Sequence, residues 1–260
     1  MDKVVAMRVC LLISWLIGLM LPAAHAEPRP PLELVTLQYP PYSYIQAGEP
    51  DGVAVQLVKQ VFSEMGVTIN VRVLPWARAI SDIEHGRADA IFTAFKTPKR
   101  ERFADYSQEV LFVQNISLIQ ASPKPLAWRQ AGNGLSMCAV NNVSYGSYMD
   151  QLLTQQHFAT VYRINSAEQC ALMVSNGRAD LWVNNEFGAR VLLQQVKLSQ
   201  PLHILQPPLQ STNSYIAFSR QRQLTAIRDR FDAALRQFKQ SGRYQQLVDE
   251  AIQSTRPELH

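Results

Sequence analysis

The tetrapeptide Gly-Arg-Ala-Asp occurs twice, at 86–89 and at 177–180, and its surroundings are alike both times. Upstream of the first copy lies PWARAISDIEH, with Trp76, Ile80 and Ile83 at helical spacing. Upstream of the second lies NSAEQCALMVSN, where Asn165 or Ser166 can cap a helix and Glu168 stands near the reciprocal capping position. Each glycine suits the left-handed turn that ends a helix. Downstream, DAIFTAF and DLWV are apolar enough to be buried parallel strands. A helix–glycine–strand unit used twice predicts two α/β lobes, each built on a mainly parallel sheet flanked by helices.

The remaining segments extend this plan. LELVTL reads as a strand ending at the YPPYSY turn, and the Asp51-Gly52 turn leads into AVQLVKQVFSEMG. There Leu57, Val58, Val61, Phe62 and Met65 form an apolar stripe that Gly66 terminates. TINVRVL is a further strand. In the other lobe LSMCAV is a strand, NNVSYGS a polar turn and YMDQLLTQQ a helix. After QPPLQSTN the strand SYIAFS and two amphipathic helices close the chain. This return predicts a discontinuous first lobe, 27–118 with 213–260, around a second lobe, 119–212. Two chain crossings would form the hinge. Ligands of such folds bind at the carboxyl ends of the strands, in the crevice between lobes.

The amino terminus has its own signature. Lys3 and Arg8 precede an apolar run from Val9 to Leu21, and Ala24-His25-Ala26 fits a small-residue cleavage site. The run is too short to span a bilayer, so residues 1–26 are expected to be a signal peptide cut after Ala26, delivering the protein to the periplasm. The net charge of the 260-residue chain is only +4, which argues against nucleic acid and against a polybasic membrane patch. Beyond the leader stand Cys138 and Cys170. In an exported protein an even count favours a disulfide over two buried thiols.

Tyr39 in the YPPYSY turn, Trp76, and the stretch from Thr93 to Arg100 all follow strands, so all three are expected to line one crevice. Aromatic rings supply contact area at low entropic cost, and a guanidinium makes a two-pronged hydrogen bond to a carboxylate. TPKRERFADYS sets three basic residues there, Lys99, Arg100 and Arg102, and the residues alone leave open which of them faces the crevice.

Taken together, YPPYSY, the Asp51-Gly52 helix entry, PW, GRADAIF, TPKRERFADYS, the second GRAD and the closing SGRYQQL resemble a bacterial periplasmic solute-binding protein of the polar amino acid class. The likeness runs from Glu33 to Ile252. It implies the type II periplasmic binding fold, two lobes joined by a two-crossover hinge, and a monomeric receptor for an ABC permease. It implies that Arg100 grips a ligand carboxylate, that Tyr39 and Trp76 sandwich the ligand, and that Asn142, Ser144, Tyr145 and Gly146 offer donors at a helix start. Two departures stand out. An aspartate commonly holds the ligand's ammonium after the second GRAD strand, and here that position is Asn185, beside Glu186. Phe95 falls near where the family places a ligand-binding hydroxyl, and Thr93 lies two residues before it.

These features predict a binding protein for a small carboxylate, amino acid or related organic acid, with no catalytic residue, cofactor or metal. The histidines 25, 85, 157, 203 and 260 are scattered, with no i,i+4 pair, and no G-x-S-x-G elbow or phosphate-binding glycine loop is present. Two other readings stay open. A periplasmic dehydratase of the cyclohexadienyl type uses a similar scaffold and would need Glu186 as its acid. A ligand sensor for a membrane receptor would have the same form.

Overall fold

Leu34 and Val35 are adjacent, fully buried, and packed into different cores. Successive side chains of a strand point to opposite faces, so one sheet here is covered on both sides. The computed structural model describes residues 30–122 and 134–254, the last three by backbone alone. The expected leader, 1–26, lies outside the described residues.

In chain order the first half comprises β1 (Leu32–Thr36), the hairpin of β2 (Tyr44–Gln46) and β3 (Glu49–Asp51), α1 (Val53–Glu64), β4 (Ile69–Val73), α2 (Trp76–Glu84), β5 (Ala90–Phe95) and β6 (Ala104–Tyr106). The long β7 (Phe112–Gln120) leads to β8 (Ser136–Val140), α3 (Ser147–Thr154), β9 (Thr160–Ile164), α4 (Ala167–Ser175), β10 (Leu181–Asn185), α5 (Glu186–Gln195) and β11 (His203–Ile204). The long β12 (Gln210–Ser219) returns, and α6 (Thr225–Gln240) and α7 (Arg243–Ser254) follow.

The main sheet runs β4-β1-β5-β12-β7-β10-β8-β9. β1 is parallel to β4 and β5, and β8 is parallel to β9 and β10. Between these two parallel sets, β12 and β7 pair antiparallel to each other, from Gln210 opposite Ile116 to Ser214 opposite Phe112. They carry the chain between the two lobes, and the boundaries expected at 118 and 213 fall inside them. α1 packs its stripe of Leu57, Val58, Val61 and Phe62 against β1 and α6, with Met65 at the margin. Gly52, at φ 113, begins that helix because a Cβ there would meet the Tyr42 carbonyl at 2.6 Å. In the other lobe Leu181 and Val183 face one core and Trp182 the opposite one.

The repeated tetrapeptide does the same work twice. Gly86 and Gly177 take φ of 64 and 67. The amides of Arg87 and Arg178 donate back to the carbonyls of Asp82 and Met173, at 2.7 and 2.8 Å, closing the helix end. Asp89 then accepts the amide of Glu33 at 2.7 Å, and Asp180 accepts that of Ser136 at 2.7 Å. Each aspartate thereby staples the start of the neighbouring parallel strand. The second unit is also tied by the Cys138–Cys170 disulfide, with Cα atoms 5.5 Å apart, as the cysteine count predicts.

Asp82, 1% exposed, reinforces the first unit by accepting from Arg78 and Arg87 at 3.0 and 2.9 Å. Burial alone would raise its pKa, but Arg87 and Arg78 outweigh burial and hold it below the usual carboxylate value. A depressed folded pKa contributes stability that is present above the unfolded value of about 3.9 and lost as pH falls through the folded one. We therefore expect Asp82→Asn to cost roughly 1 kcal/mol at pH 7, because its partners are solvent-exposed. The variant should also show a shallower loss of stability below about pH 4 in acid titrations followed by circular dichroism.

Candidate functional site

At the carboxyl ends of β1 and β5, beside the β7–β12 crossing, lies a cavity lined by Leu37, Tyr39, Trp76, Thr93, Phe95, Arg100, Gln114, Ile116, Val143, Ser144 and Tyr145. In this conformation it leaves about 30 Å³ for water centres. That is room for about two waters.

Arg100 opens the short 3-10 turn 100–102 and is 7% exposed, whereas Lys99 and Arg102 are in solvent. Its guanidinium donates at 2.9 Å to the Phe95 carbonyl and at 2.9 Å to the Asn142 carbonyl of the opposite lobe. It also lies 5.3 Å from the Trp76 ring centroid, within cation–π range. Burial pulls its pKa down from the usual value, while Tyr106 and Asp150 push it back up. Both carbonyls have second donors, Tyr106 on Phe95 at 3.0 Å and Trp76 Nε1 on Asn142 at 3.0 Å. Burial pushes the Tyr106 hydroxyl up to about 12, so it remains a donor at neutral pH.

Two backbone positions flank the guanidinium in the left-handed region, Thr93 at φ 61 and Asn142 at φ 57. Asparagine tolerates this; a β-branched threonine is a genuine outlier, at roughly 1–3 kcal/mol. The cause is a bulge. Tyr215 pairs with Ala94 and Ala217 with Ile91, so Phe92 and Thr93 together oppose Ile216. The extra residue turns the end of β5 toward the cavity, and Thr93 Oγ1 donates to the Phe92 carbonyl at 2.6 Å.

Tyr39 crosses the cleft. Its hydroxyl donates to Asn184 Oδ1 at 3.1 Å and accepts the Asn185 amide at 3.2 Å. Burial, then the neighbouring Tyr42 and Tyr145, hold its pKa well above the usual value. On the second lobe Ser144 donates to Asp150 at 2.5 Å, and the Tyr145 amide donates to the other carboxylate oxygen at 2.8 Å. The Gly146 amide turns to Ser144 Oγ at 3.3 Å. Of the donors expected to serve a ligand at this helix start, the Ser144 hydroxyl and the Tyr145 and Gly146 amides are thus engaged within the turn itself.

Seven of the expected site residues, Tyr39, Trp76, Thr93, Phe95, Arg100, Ser144 and Tyr145, meet at the cavity. Asn142 contributes its carbonyl. Asn185 instead caps α5, accepting the Gly188 amide at 2.9 Å, and Glu186 is held by Arg190 at 2.6 Å and Gln206 at 2.8 Å; neither lines the cavity. Sequence reasoning missed Gln114 and Ile116 on β7. Their signal was alternation, since Phe112, Gln114 and Ile116 point inward while Val113 and Asn115 point out. Among the described residues no group of His, Cys, Asp and Glu side chains could hold a metal ion.

No curated protein matches the sequence significantly. Solved structures resemble the fold at low identity. A histidine kinase sensor domain with similarity to periplasmic binding proteins is 17% identical over 86% of this chain and 96% of its own, with a TM-score of 0.76. ArtJ, an arginine-, lysine-, histidine-binding protein of Geobacillus stearothermophilus, is 17% identical over 88% and 98%, with a TM-score of 0.73. AncCDT-1, an ancestral amino acid-binding protein and precursor of cyclohexadienyl dehydratase, is 16% identical over 84% and 93%, with a TM-score of 0.69. The type II periplasmic binding fold is thereby established, and a family model matched over residues 34–254 identifies the chain as a member of the bacterial extracellular solute-binding proteins, family 3.

Proposed function

We propose that this protein is a periplasmic receptor that traps a small carboxylate-bearing solute, an amino acid or related organic acid, and delivers it to an ABC permease. The lobes would be 27–118 with 213–260, and 119–212, closing as a monomer, with residues 1–26 directing export. One observation carries the reading. Arg100 is a buried guanidinium at the cavity whose hydrogen bonds within the protein go to neutral carbonyls. A buried charge without a counter-ion is costly by several kcal/mol, and a carboxylate met by both prongs of the fork offsets that cost.

A cavity this small admits a solute only when the lobes part. The hydrogen bonds from Tyr39, Trp76 and Arg100 to the far lobe would break on opening and favour the shut form. The test is a panel of amino and organic acids screened by thermal shift and small-angle scattering. A binder should raise Tm by several degrees and lower the radius of gyration. Tyr39→Phe, which removes one cross-lobe hydroxyl, should enlarge the radius before solute is added. A panel without one responding carboxylate would sink the proposal.

The kinase sensor domain among the similar structures supports a second output for the same trap, a signal to a membrane receptor. A dehydratase is disfavoured. Its acid would have to be Glu186, which is paired with Arg190 and turned to Gln206.

A further inference from the structure

The cavity carries one cation and no acid. Arg100 is its charged lining residue, and among the described residues that line it none is aspartate or glutamate. Asp150, the acid that acts electrostatically on Arg100, is taken by the Ser144 hydroxyl and the Tyr145 amide. A second feature is independent of charge. Gln114 is 1% exposed, lines the cavity, and has no hydrogen-bond partner for its Nε2 among the described residues. An unpaired buried amide donor is unfavourable, so a solute oxygen that reaches it meets a donor the protein leaves unused.

From these features we infer that the solute is a monocarboxylate carrying an uncharged oxo or hydroxyl oxygen and an apolar tail, rather than an amino acid. The inference rests on the receptor reading above and narrows its ligand. A carboxylate neutralises Arg100. An added ammonium would be a second buried cation, and no carboxylate among the described lining residues meets it. A hydroxyl or carbonyl oxygen accepts from Gln114. Leu37, Phe95, Ile116 and Val143 give the cavity an apolar portion that suits a branched or aromatic tail.

Four probes of one shape separate the terms: 4-methyl-2-oxopentanoate, 2-hydroxy-4-methylpentanoate, 4-methylpentanoate and leucine, each with methyl-tailed and benzyl-tailed counterparts. Titration calorimetry on the wild-type protein should show an oxo or hydroxy acid binding about tenfold or more tightly than the unsubstituted acid, with the amino acid weakest. Gln114→Leu should erase the first gap, so that the oxo and hydroxy acids bind no more tightly than the unsubstituted acid. Tight binding of the amino acid, or a gap that survives Gln114→Leu, overturns the inference. If amino acids bind and Arg100→Met abolishes that binding, the receptor reading stands without it. If no carboxylate of any set binds, both fall.

Discussion

Arg100→Met should abolish solute binding while leaving the fold as stable as before, or more so. Truncating one partner of a buried, hydrogen-bonded charge pair costs about 2–5 kcal/mol, which is a loss of roughly thirtyfold to several thousandfold in Kd. Stability should not follow, because the substitution strands nothing. The Phe95 carbonyl keeps Tyr106 and the Asn142 carbonyl keeps Trp76. Methionine also removes a buried guanidinium that has no acidic partner to satisfy it. Thermal melts without added solute, set beside calorimetry with the best binder, check both halves. A large drop in Tm with affinity intact would make Arg100 a structural clamp. Arg100→Lys keeps the charge but loses the fork, so it should fall between wild type and methionine.

The second large effect concerns the bridge between Cys138 and Cys170, both fully buried. Its closed loop of 32 residues restricts the unfolded chain. Removing it by Cys138→Ala with Cys170→Ala should cost about 3 kcal/mol and lower Tm by about 6–12 °C. The bridge joins β8 to α4, away from the cavity, so affinity for a bound carboxylate should change by no more than about twofold. Denaturant titration gives the stability term and calorimetry the other. Equal Tm values for the wild type and the double variant would show that the cross-link contributes nothing to the folded state.

The repeated tetrapeptide made both lobes legible, because its glycine and aspartate act locally. A left-handed helix end and a staple to the next strand leave fixed residue types at fixed spacing. Arg100 was legible through resemblance, since the Thr97-Pro98-Lys99-Arg100 turn matches one that the solute-binding family uses to grip a carboxylate. The bulge at Thr93 was not. A left-handed residue is usually announced by glycine or asparagine, and threonine gives no such notice. It arises from how β5 meets β12, a strand more than a hundred residues away. The part Asn185 plays was not legible either: its backbone amide meets Tyr39 across the cleft, while its side chain is taken up as the cap of α5. The β2–β3 hairpin went unread because its turn is Ala47-Gly48, both at positive φ, and alanine rarely marks such a site.

The paired crossings β7 and β12 have one more consequence. They are hydrogen-bonded to each other over five register positions, so they act as one ribbon rather than two independent tethers. Two loose links would let the halves swivel about several axes. Five laddered positions tie the crossings together along their length, and they twist as a unit. On the proposed reading, a solute that draws the halves together would move their outer faces along a path set by this one ribbon, and a membrane partner would need to recognise only how far along it they have gone.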